Sequence, residues 1–161
     1  MTASTPEERL AALGLRLPAV ARPVAAYVPA VRTGRYVYTS GQLPMVDGEL
    51  VETGKVGTDV DAEVSPEAAR AAARICALNA LAAIRDLIGD LAKVRRVVKV
   101  VGYVASSRSF TGQPGVINGA SELLTEVFGD AGAHARSAVG VAVLPLDAPV
   151  EVEVIVEVAD D

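Results

Sequence analysis

His134-Ala-Arg-Ser-Ala-Val-Gly-Val-Ala-Val-Leu-Pro-Leu-Asp-Ala-Pro-Val-Glu-Val-Glu153 contains two apolar, strand-like runs on either side of a turn marked by Pro145, Asp147 and Pro149. Arg136 heads the first run and Glu151 heads the second. If the runs pair as antiparallel neighbours, a guanidinium and a carboxylate stand on one sheet. Arginine is shaped to grip a carboxylate with two parallel hydrogen bonds. A glutamate nearby can orient a water or move a proton. That combination suits a small acidic ligand. On spacing alone, an ion pair between Arg136 and Glu151 or Glu153 explains the same residues.

Upstream of this stretch, Pro114 opens an amphipathic helix reaching about Phe128. Val116, Ile117, Ala120, Leu123, Leu124 and Val127 form its apolar stripe, and Gly129 and Gly132 end it. Asn118 sits in its first turn. Before it, residues 94–105 are Val-rich and read as a strand. Arg95, Arg96 and Lys99 at its start read as a solvated face.

Ser65-Pro66-Glu67 is an N-cap, a first-turn proline and an acid, so a long helix runs from there to about Leu91. Its apolar stripe is Ile75, Leu78, Leu81, Ala82, Ile84, Leu87, Ile88 and Leu91. Cys76 within it reads as a small buried hydrophobe.

The N-terminal third alternates turns and short strands. Thr5, Pro6 and Glu8 make a capping box for a helix over 5–14, with Gly14 as its stop. Leu10 and Leu13 would dock that helix, either on the domain or on a neighbouring subunit. Pro18, Pro23 and Pro29 forbid a helix over 17–30 and leave it extended. Tyr27 lies in that segment and reads first as an edge tyrosine. Thr33-Gly34-Arg35 turns a hairpin of 24–32 with 35–40. The second strand ends at Ser40-Gly41-Gln42, where a glycine allows close backbone approach and a serine offers a hydroxyl. Residues 45–64 read as a loop with an Asp47-Gly48 turn and a short strand near Leu50-Val51.

The order is hairpin, helix, strand, helix, two strands: an α+β chain with one sheet and two helices packed on one face. The other face then needs cover, and self-association of three such sheets supplies it. We divide the 161 residues into an N-terminal helical extension, 1–16, and a single domain, 17–161.

Bulk properties narrow the class. Apolar residues make up 51% of the chain, largely Ala and Val, with no Trp, so the core is one of small side chains. The net charge of −5 argues against a nucleic-acid backbone as partner. A single cysteine excludes an internal disulfide. Neither a signal peptide nor an apolar run of about 18–20 residues is visible. A cytoplasmic protein without membrane partners is expected. His134, the only histidine, reads as surface decoration. No metal-ligand spacing, phosphate-binding loop or nucleophile elbow is present.

Ala135-Arg136-Ser137, Leu144-Pro145 and Val150-Glu151-Val152-Glu153, together with Ser40-Gly41-Gln42 and Pro44, resemble the signatures of the Rid proteins, also called the YjgF or endoribonuclease L-PSP family. The resemblance covers residues 24–158. It implies a chorismate-mutase-like fold: a mixed sheet, two helices, and a homotrimer whose sheets form a central barrel, with active sites in clefts between subunits. Well-known members hydrolyse reactive enamines and imines, such as 2-aminoacrylate, to a 2-keto acid and ammonia without cofactor or metal.

Carried over residue by residue, the resemblance gives Arg136 the substrate carboxylate. Glu151, Ser40 and Tyr27 become the catalytic set. Gly41 and Ala138 offer backbone amides to the imine region. Asn118 joins the substrate-binding set if one residue is inserted in the loop before Arg136. Two positions depart from the family pattern: His134 replaces a proline and Ala138 a cysteine. Two other functions fit the same residues, a non-catalytic sensor of keto or amino acids and an RNA-directed activity. The acidic charge and the lack of a basic, aromatic-lined groove weigh against the latter.

Overall fold

The last strand of the chain, β7 (Val150–Val158), alternates strictly between buried and half-exposed residues. Val150, Val152, Val154, Val156 and Val158 face inward, and Glu151, Glu153, Ile155 and Glu157 face the other way. This period of two splits the sheet into a covered face and an open one. The computed structural model describes residues 4–20 and 26–160. Pro23 and the start of the expected first strand lie outside the described residues.

Five strands make the main sheet: β1 (Ala30–Thr33), β2 (Tyr36–Thr39), β5 (Val94–Ala105), β6 (Ala135–Val141) and β7. Their order is β1-β2-β7-β5-β6. All neighbours are antiparallel except β5 and β6, which are parallel. Parallel neighbours need a crossover, supplied here by helix α3 (Gln113–Phe128). The architecture is therefore the expected α+β fold with a mixed sheet.

The expectation that the runs around Arg136 and Glu151 pair with each other is wrong. β5 lies between β6 and β7 and bonds to both. The short turn at 145–149 suggested a hairpin. The long apolar strand β5 instead takes β6 on one side and β7 on the other.

Helices α2 (Pro66–Ile88) and α3 cover the inner face. Ser65 Oγ caps α2 by accepting from the Ala68 N–H at 3.1 Å, and Gly89 ends it at φ 85°. The helix stops before Leu91, which begins a short 3-10 turn over Leu91–Lys93. Its buried stripe also differs from the expected one. Ala69, Ala72, Ala73, Cys76, Ala77, Ala80 and Ala83 carry it with Leu81, Ile84 and Ile88, whereas Leu87 is exposed. Small residues let α2 and α3 approach closely. At the crossing, a Cβ on Gly119 would run into the Arg70 carbonyl.

Helix α1 (Pro6–Ala12) has both bonds of its capping box. It seats on its own chain. Leu10 is 2% exposed, Glu7 Oε1 accepts from the Leu91 N–H at 3.0 Å, and Arg9 Nη1 donates to the Val127 carbonyl at 3.2 Å. The 45–50 segment forms a small hairpin, β3 (Met45–Val46) with β4 (Glu49–Leu50). Its turn places Asp47 and Gly48 at φ 53° and 83°, the positive values of a tight two-residue hairpin turn. Among the described residues no helix is long and apolar enough to cross a membrane.

Candidate functional site

Arg136 is the second residue of edge strand β6 and lies opposite Val100 of β5, whose side chain faces the helices. Arg136 therefore points under α3. Asn118 and Ser121 stand there three residues apart, which is one face of a helix. Arg136 Nη1 donates to Asn118 Oδ1 at 2.7 Å and to Ser121 Oγ at 3.3 Å. Both hydrogens of Nη1 are thus directed at uncharged acceptors. The fork formed by Nε and Nη2 has no protein acceptor among the described residues, and no carboxylate lies within ion-pair distance of Arg136. The ion pair with Glu151 or Glu153 is not made. Ala138 follows on the same face, one pleat along, and packs against the core.

His134 is not surface decoration. Its Nδ1 lies 2.5 Å from the Gly132 carbonyl, and its Nε2 lies 2.9 Å from Ser121 Oγ. The expectation failed because a lone histidine gives no sign in sequence of what its two nitrogens will meet. Ser121, one turn beyond Asn118, was legible from spacing but went unnoticed.

Glu151 belongs to a second group. It lies opposite Tyr103 of β5, on the open face of the sheet. The segment after β2 runs beside it: the Gln42 N–H donates to the Val152 carbonyl at 2.8 Å, and the Val152 N–H returns a bond at 3.0 Å. This pairing lays Gly41 directly over the Glu151 carboxylate, and a Cβ there would run into Oε1. Only glycine fits. Ser40 Oγ donates to the Val28 carbonyl at 2.6 Å, which leaves its lone pairs outward. Tyr27, adjoining that carbonyl, is 55% exposed. Glu153 stands two residues beyond Glu151 on the same face, and its Oε1 accepts from the Tyr103 hydroxyl at 3.3 Å. Burial, reinforced by the negative charge of Glu153, raises the Glu151 carboxyl above the ordinary glutamate range. Burial and the same Glu153 also raise the Tyr103 phenol.

The expected site residues therefore fall into two groups. Arg136, Asn118 and Ala138 make one; Glu151, Gly41, Ser40 and Tyr27 make the other. Their registers on β5, Val100 and Tyr103, differ by three, so the two groups project to opposite faces. Three residues along and two strands across separate the Arg136 and Glu151 backbones by about 14 Å. One chain does not bring them together. A concavity of about 360 Å³, lined by residues including Tyr36, Arg96, His134 and Glu157, contains neither Arg136 nor Glu151. Among the described residues no cluster of three His, Cys, Asp or Glu could hold a metal.

The family described as "YjgF/chorismate mutase-like, putative endoribonuclease" matches residues 7–158. Protein TCP17 of Trypanosoma cruzi is 47% identical over 146 residues, covering 90% of this chain and 89% of its own. The protein Atu1372 from Agrobacterium tumefaciens, described as of unknown function, is 48% identical with a TM-score of 0.83, covering 96% of this chain and 92% of its own. E. coli TdcF, solved with bound serine, is 26% identical with a TM-score of 0.56, covering 87% of this chain and 94% of its own.

Proposed function

This chain belongs to the YjgF/chorismate mutase-like family, and from that premise we propose that it hydrolyses small enamines and imines bearing a carboxylate, of the 2-aminoacrylate type, to 2-keto acids and ammonia. The reaction occurs in clefts between protomers of a homotrimer. The observation that carries this reading is the unneutralised fork of Arg136, held by uncharged partners and open at Nε and Nη2. A positive fork kept free of carboxylates is suited to an acid from outside. That TdcF holds serine agrees with a ligand of this size and charge.

The two residue groups meet only if one protomer supplies Arg136, Asn118 and Ala138, and its neighbour supplies Glu151, Gly41, Ser40 and Tyr27. The substrate carboxylate docks on Nε and Nη2. The Gly41 and Ala138 amides face the imine carbon and nitrogen. An enamine first takes a proton from solvent at its methylene carbon, and an imine takes one at nitrogen, so that the iminium is the species attacked. Glu151 of the partner subunit takes a proton from water as the water oxygen bonds to the iminium carbon and the C=N pair moves onto nitrogen. It then gives that proton to the amino nitrogen, which becomes an ammonium. The carbon–nitrogen bond breaks, neutral ammonia leaves with the electron pair, and the remaining hydroxyl proton passes to the Glu151 carboxylate and on to solvent, leaving the ketone. A carboxyl raised above its ordinary range suits both steps. The Ser40 lone pairs and the Tyr27 hydroxyl orient the water. No cofactor enters this scheme.

The test is to generate 2-aminoacrylate with a pyridoxal-phosphate dehydratase and follow its decay. Acceleration by the wild type and its loss in Arg136→Ala support the proposal. Equal decay with and without the protein refutes it. Keto-acid binding without acceleration would favour a sensor, and RNA cleavage that survives Arg136→Ala would favour the RNA-directed activity suggested by the family description.

A further inference from the structure

We infer that His134 and Ser121 form a positioning relay that fixes which edge of the Arg136 guanidinium faces the ligand. The inference rests on the reading of Arg136 as the carboxylate grip and adds to it a residue pair that the family pattern does not supply.

Hydrogen-bond chemistry orients the relay. The Gly132 carbonyl can only accept, so His134 Nδ1, 2.5 Å away, carries the proton of the neutral ring. His134 Nε2 is then an acceptor, and at 2.9 Å its only possible donor in Ser121 is the hydroxyl. That bond turns the Ser121 hydrogen toward the imidazole and its lone pairs toward Arg136. Nη1 donates into those lone pairs at 3.3 Å and into Asn118 Oδ1 at 2.7 Å. With both hydrogens of Nη1 engaged, rotation about the Cζ–Nη1 and Nε–Cζ bonds is blocked. In a guanidinium, Nη2 lies on the same side as the Nε hydrogen. The edge left to a carboxylate is therefore the Nε/Nη2 fork, never the end-on Nη1/Nη2 pair.

Ser121 alone would not do this. A helical serine commonly turns its hydroxyl back to the carbonyl four residues earlier. The imidazole redirects it. Gly132 in turn holds the imidazole, and its own place is tight: a Cβ there would run into the α3 backbone at Leu124 and Thr125. The relay thus runs from the end of α3 through His134 and Ser121 to the guanidinium. His134 touches no reacting atom; it acts through Ser121 and Arg136.

Two measurements separate this inference from the reading beneath it. The first needs no substrate. In protein with 15N-arginine, the Arg136 guanidinium signals, assigned by their loss in Arg136→Lys, should show distinct and slowly exchanging Nη1 hydrogens. Ser121→Ala and His134→Ala should each average them. His134→Asn keeps a donor for Gly132 but loses the acceptor and should behave like alanine, whereas His134→Gln restores an acceptor and should recover part of the hindrance. The second is pyruvate binding by calorimetry. Each single variant should weaken it about three- to tenfold, the size of one hydrogen bond. The double variant should weaken it no further, because the pair acts as one unit. Unchanged Arg136 signals in both single variants, with both folded by circular dichroism, would overturn the relay. So would a double variant that loses the product of the two single effects. If wild type fails to bind pyruvate, the carboxylate reading fails, and the guanidinium signals still decide the relay.

Discussion

Two chains that are each inactive should make active protein when mixed. Arg136→Ala removes the fork, and Glu151→Gln keeps the shape of the carboxyl but cannot carry the proton. Loss of a charge-assisted pair costs about 3 kcal/mol, roughly a hundredfold in rate, so each variant alone should be nearly silent. The sheet decides what mixing does. Arg136 and Glu151 project to opposite faces, with β5 between their strands. In the proposed assembly a complete cleft draws its arginine from one protomer and its glutamate from the next. When the two variants assemble at random in a closed ring, an intact arginine meets an intact glutamate in about a quarter of the clefts. Unfolding the two variants together, refolding them and assaying 2-aminoacrylate decay should therefore recover about a quarter of the wild-type rate. Separately refolded variants, combined without exchange, should recover none. If differently tagged chains are shown by native mass spectrometry to have mixed and the rate stays at background, the shared cleft is refuted.

Other expectations concern Glu151 and its surroundings. Burial and Glu153 both raise the Glu151 carboxyl, so Glu153→Gln removes one of the two causes. The acid limb of the pH–rate profile, where Glu151 becomes the base, should move to lower pH. For stability the sign is the opposite of the usual carboxylate case. A raised folded-state value means the native state holds the proton longer than the unfolded chain, so stability falls as pH rises through it. Glu151→Gln should therefore melt higher than wild type at neutral pH, with the difference vanishing in acid, as read by calorimetry. Gly41→Ala sets a methyl against the Glu151 carboxylate, and kcat/KM should fall at least about tenfold while the melting temperature changes little. Leu10→Ala, by contrast, should cost about 2–3 kcal/mol through loss of a buried side chain, lowering the melting temperature but leaving kcat/KM unchanged.

Local signals in the sequence were reliable where local physics decides. The Thr5–Glu8 box, the Ser65 cap, the Asp47-Gly48 turn and both ends of β5 follow from residues within a few positions of one another. Pairing of β6 with β7 looked equally local, because a short turn joins them. It failed because the choice of sheet neighbour is made by β5, which is distant in sequence. The α2 stripe was misread by favouring large side chains, when close packing against α3 selects alanine. At the candidate site, motifs could list Arg136, Asn118, Glu151 and Gly41 but not say that they divide between two faces. That division depends on register, an odd offset of three along β5. Glu153 and His134 were misread, and Tyr103 and Ser121 were not singled out, for a related reason: each acquires its meaning from a partner brought in by tertiary structure.

The last described strand in the chain occupies the middle of the sheet. During synthesis β2 and β5 emerge long before β7 exists to join them, and each must wait with one ladder of N–H and C=O groups unsatisfied. Such raw edges recruit strands from other molecules. A nascent chain halted anywhere before Val150 is therefore a natural client for chaperones, and a fragment lacking that terminal segment is a seed for aggregates rather than a smaller working domain.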